Sequence, residues 1–66
     1  MVPPWQKHPD IPLGSAGWRM GFGEQYWIEF DQWFGRKTAA QKRRFATEHP
    51  EPPGWEGFYR RKGLIT

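Results

Sequence analysis

Few side chains in this sequence could do covalent or proton-transfer chemistry. Ser15 is the only serine, His8 and His49 are the only histidines, and there is no cysteine. Nucleophilic or acid–base catalysis needs such groups as a positioned constellation in a pocket that excludes water. Glu24 and Asp31 lie seven residues apart on one predicted helix, too far for a tight carboxylate pair across a single turn. Neither the histidines nor the scattered carboxylates recur at helical ligand spacing, so no metal centre is expected. Without cysteine there is no disulfide framework, thiolate zinc site or iron–sulfur cluster. A short chain also struggles to wall off a cleft. The expectation is therefore a protein that is not an enzyme and carries no cofactor.

Three short motifs have alternative readings. His8-Pro9-Asp10 is similar to the tripeptide of J-domain co-chaperones, which sits between two long helices. Only seven residues precede it here, so an exposed turn is expected. Pro53-Gly54-Trp55-Glu56 is similar to the opening of WW domains, which need a three-stranded sheet and a second tryptophan well downstream. Eleven residues follow Trp55, and the expectation is a proline-introduced helix with a buried Trp55. Gly21-Phe22-Gly23 resembles a dinucleotide-binding turn, but the third glycine position holds Tyr26 and no strand precedes it. A glycine turn leading into a helix accounts for it.

Binding chemistry is better supplied. The basic residues gather in two clusters, Arg36, Lys37, Lys42, Arg43, Arg44 and then Arg60, Arg61, Lys62. Residues 1–35 carry two cations against four carboxylates, a net −2. Residues 36–66 carry eight cations against three carboxylates, a net +5. A solubilising surface has no need to segregate charge in this way. Arginine grips carboxylate or phosphate with a planar fork, which singles out Arg43, Arg44, Arg60 and Arg61. Consecutive helical residues fan over roughly 200°, so only part of the first cluster can meet one surface. Tryptophans also dominate binding hot spots, and Trp27 and Trp33 on the main helix are the candidates. The same rings can serve as core, or as a stacking platform for single-stranded nucleic acid.

These residues need elements to hold them. Residues 1–22 read as an irregular arm, held extended by Pro3, Pro4, Pro9 and Pro12 and docked by Trp5, Ile11, Leu13, Trp18 and Phe22. Residues 24–35 read as the main helix: Tyr26, Trp27, Phe30, Trp33 and Phe34 share one face, and Gln25, Glu29 and Gln32 lie opposite. Gly35 is its expected stop. Thr38 and Gln41 have the capping-box spacing for a basic helix over 38–49, closed by His49-Pro50. Residues 54–62 read as a C-terminal helical turn, with Gly63-Leu64 as its glycine cap and hydrophobic contact. No internal repeat is evident.

Composition bounds the whole. Sixty-six residues make one domain at most, read here over 1–66. Only 36% of them are hydrophobic, yet 18% are aromatic, so the core must be built mostly of rings. No apolar run approaches the roughly 20 residues of a membrane span, and there is no signal-peptide core. A cytoplasmic protein with no membrane association is expected, and the initiator Met suggests a complete small reading frame. The fold expected is small and mainly α, with two to three short helices around an aromatic core and a Pro/Gly-rich N-terminal arm wrapped over them. The function expected is a non-enzymatic protein-interaction module, a small regulator or inhibitor whose partner presents an acidic surface. The alternative is a small basic nucleic-acid-binding protein.

Overall fold

Capping chemistry and ring spacing divide the chain into four α-helices among the described residues. They are α1 (Pro4–Lys7), α2 (Glu24–Gly35), α3 (Ala39–Glu48) and α4 (Phe58–Arg61), with a 3-10 turn at Ala16–Trp18 between the first two. The computed structural model describes residues 1–64, so Ile65 and Thr66, the end of the expected domain, lie outside the described residues. The small, mainly α fold with an aromatic core is the architecture found.

The capping box forms as the spacing predicts. The Gln41 N–H donates to Thr38 Oγ1 at 3.1 Å, and the Thr38 N–H donates to Gln41 Oε1 at 2.9 Å. Two amides at the start of α3 are thereby satisfied reciprocally. The glycine cap of α4 is equally complete. Gly63 takes φ +93°, the Leu64 N–H donates to the Tyr59 carbonyl at 3.0 Å, and the Gly63 N–H donates to that of Arg60 at 3.1 Å. These are the two bonds of a Schellman motif, and Leu64 is buried beside it.

α2 spans 24–35 and ends at Gly35 as expected, but Gly35 is its last helical residue and not a left-handed cap. Arg36 keeps a helical backbone, and Thr38, extended as the cap of α3, ends the run. The arm is more ordered than an irregular reading allows, because Pro4 starts the one-turn α1, where its missing N–H costs nothing. The C-terminal turn is shorter than 54–62. Gly54 and Gly57 take φ of +91° and +87°, so Trp55 is buried in the turn before α4 rather than on it.

A repeat absent from the sequence reading emerges in the backbone. His8-Pro9-Asp10-Ile11-Pro12 and His49-Pro50-Glu51-Pro52-Pro53 share a pattern, and each ends a helix. His8 has φ −132° and ψ 74°, and His49 has φ −131° and ψ 73°. Each histidine N–H still donates to the carbonyl four residues back, at 2.9 Å. The proline that follows expels its predecessor from the helical region, and the helix ends there.

Phe30 is the hub, with none of its surface exposed. Phe34 stacks on it at 5.6 Å, and Phe45 of α3 and Phe58 of α4 lie at 5.8 and 5.9 Å. The arm closes the other side. Trp5 meets Trp55, Phe58 and Tyr59 at 5.3, 5.2 and 5.9 Å, with Pro3 and Pro4 fully buried beside it. Ile11 and Trp18 are buried, and the Trp18 indole N–H donates to the Pro12 carbonyl at 3.0 Å. Gly23 leads into α2 where no side chain fits, since a Cβ there would stand 2.8 Å from Trp18 and 2.9 Å from Ile11. Phe22 is the ring that does not dock; it stays 69% exposed beside Met20 at 81%. The glycines on either side hold its turn at the surface, within reach of only His8 among the rings, at 5.3 Å.

Candidate partner-binding site

The basic residues divide by type. Each of the four lysines places its ammonium over a ring: Lys62 over Trp27 at 3.8 Å, Lys37 over Trp33 at 4.3 Å, and Lys7 and Lys42 over Tyr26 and Phe34, both at 5.7 Å. Lys62 also meets Asp31 at 2.7 Å, and its side chain is only 7% exposed. A flexible stem that covers apolar rings while its ammonium stays on their faces explains the pattern. Among the described residues no arginine lies over a ring, and all six are exposed, as Lys7 also is. Among the described residues, one of them forms an ion pair, Arg44 with Glu48 at 3.3 Å along α3.

The four arginines singled out by sequence do not make one patch. Arg43 and Arg44 stand on the outside of α3. Arg60 and Arg61, neighbours in sequence, turn to different grooves. Arg60 lines an open groove of about 750 Å³ with Ala46, Pro50, Tyr59 and Leu64. Glu51 lies in that groove, with its carboxylate taken up by the amides of Gly57 and Tyr59 at 3.0 and 2.8 Å.

Arg61 lines a second groove of about 330 Å³, together with Trp27. Its other lining residues include Leu13, Ser15, Trp18 and a second arginine, Arg19. No carboxylate lines it, so its two exposed arginines sit beside Leu13, Trp18 and Trp27 without a counter-charge among the lining residues. Two residues expected to bind a partner, Trp27 and Arg61, are thus brought together. Trp33 is not beside them; it packs on Phe45 at 5.4 Å under Lys37. Arg19 is not legible from charge clustering, because it is the one arginine of the acidic half and lies outside both basic clusters. Its signal was its place directly after a tryptophan.

Each expected tryptophan is half-buried and carries a lysine ammonium over its ring. The Trp18 ring lies 5.1 Å from Trp27 at a 44° tilt, and Lys62 is over Trp27 as well. Among the described residues no group of three His, Asp or Glu side chains converges to hold a metal ion. Burial raises the Tyr59 phenol well above its ordinary value, with the Glu51 carboxylate adding to the effect. Tyr26 is raised as well, chiefly by burial, with a smaller push from Glu29. Among the described residues no helix is long and apolar enough to cross a membrane. Comparison with protein-family models, with curated proteins and with solved structures finds no match for this chain.

Proposed function

We propose that this protein is a non-enzymatic interaction module, a small regulator or inhibitor that binds an acidic surface of a larger protein. One observation carries the reading: every lysine is engaged on a ring, while every arginine is left exposed. Arginine is the cation suited to interfaces, because its fork matches a carboxylate and it loses little freedom per bond formed. The contacts fall on Arg43 and Arg44 of α3, on Arg60, and on the groove of Trp27 and Arg61.

The net +5 of residues 36–66 equally suits phosphate, so nucleic-acid binding is the rival. Single-strand binders stack bases on open aromatic faces, and the lysines lying over Trp27 and Trp33 weigh against that rival.

The test is affinity capture from a lysate of the native cell, with and without nuclease. The bait is the wild-type chain or the variant Arg43→Glu/Arg44→Glu, checked for folding by circular dichroism. The reading expects a protein retained after nuclease and lost with the variant. Capture that disappears with nuclease hands the function to the rival.

A further inference from the structure

We infer that the groove of Leu13, Ser15, Trp18, Arg19, Trp27 and Arg61 is a docking slot for an acidic linear segment of a partner protein. The segment would carry one large aliphatic side chain between carboxylates. This rests on the interaction-module reading and names the partner chemistry of one part of that surface.

The walls define the aliphatic residue. The Trp18 indole N–H is already committed to the Pro12 carbonyl, so with Leu13 that wall presents carbon. A volume of about 330 Å³ suits one side chain with its flanking backbone rather than a folded surface. The rims define the charge. Arg19 and Arg61 are exposed, and no acidic residue lines the groove to neutralise them. Lys62 next door is held by Asp31 at 2.7 Å and does not compete for the incoming carboxylate. The Ser15 hydroxyl accepts from the Gly17 amide at 3.2 Å, which leaves its proton to donate to a peptide carbonyl. A nucleotide fits this chemistry less well, since Lys62 and Trp18 already lie against Trp27.

The probe is a capped peptide with a single leucine between two glutamates, titrated into the isotope-labelled full chain and followed by NMR. The expected result is a saturable shift of the Trp27 indole and of the amides of residues 13–19. Arg19→Gln combined with Arg61→Gln should weaken the peptide about tenfold or more, as loss of paired interface arginines does. Both residues are exposed, so an unchanged dispersion of the other resonances verifies the fold. Arg43→Gln combined with Arg44→Gln should leave peptide affinity unchanged, and a peptide with serine in place of leucine should not bind. Shifts spread over α3, or equal affinity in the Arg19/Arg61 double variant, overturn the inference. So does a single-stranded oligothymidylate that moves the same resonances at lower concentration. The two readings fail separately. If the wild-type chain retains a cellular protein after nuclease while the peptide leaves the groove unmoved, the slot is wrong and the interaction module stands.

Discussion

Lys62 and Arg61 are adjacent in sequence, carry the same charge and do opposite things. Lys62 lies over Trp27 and pairs with Asp31, whereas Arg61 stands in solvent on the rim of a groove. Lys62→Ala should therefore destabilise the fold by about 1–2 kcal/mol, combining a lost cation–π contact with the uncovering of a ring. Arg61→Ala should stay within about 0.5 kcal/mol of wild type, as exposed substitutions do. Thermal melts of the two variants check this, and equal losses would contradict the division of labour between lysine and arginine. Phe30 marks the other extreme. It is fully buried and touches rings from α2, α3 and α4, so Phe30→Ala should cost about 3–5 kcal/mol and abolish a cooperative melt in a domain this small.

Local rules carried the sequence reading furthest where the interacting residues are close in the chain. Thr38 with Gln41, Gly63 with Leu64, and the ring stripe of α2 all depend on spacings of one to four residues. What stayed hidden depends on contacts across loops. Glu51 is the clearest case. Its carboxylate accepts the amides of Gly57 and Tyr59, so it caps α4 from six and eight residues upstream. No sequence rule for caps reaches that far, and Gly57 itself offers no side chain. Glu51→Ala should remove that cap and cost about 1–2 kcal/mol, with the loss of protection in hydrogen exchange concentrated at residues 57–61. The candidate site was half legible for the same reason. Trp27 and Arg61 were visible as residue types, but their meeting with Arg19 and Leu13 is set by how the arm folds back over α2. Phe22 went the other way: its aromatic character suggested docking, while the glycine turn holds it outward.

At the scale of the molecule the arm is structural. Trp5 packs on Trp55 and α4, Pro3 and Pro4 are fully buried, and the radius of gyration of 11.4 Å matches the roughly 11 Å of a folded chain this long. Deleting residues 1–13 should lower the melting temperature by many degrees, and an unchanged melt would make the arm a tail. The fold also has an alkaline limit. Burial raises both phenols, so the folded state holds their protons more tightly than the unfolded chain does. That contribution is fully present below the ordinary tyrosine value of about 10 and is lost as pH rises beyond it. Phenolate absorbance from Tyr59 should thus appear together with unfolding, not before it. The lysines over Trp27 and Trp33 bear on the proposed function at this same scale, because a nucleic-acid platform would need those ring faces open. The most direct test is tryptophan fluorescence of the wild-type chain titrated with single-stranded oligonucleotide between about 50 and about 200 mM salt, a span over which phosphate-driven binding weakens steeply. The account predicts no saturable quenching, with only a weak association that salt removes. Saturable quenching at the higher salt would show bases stacking on these rings and would contradict it.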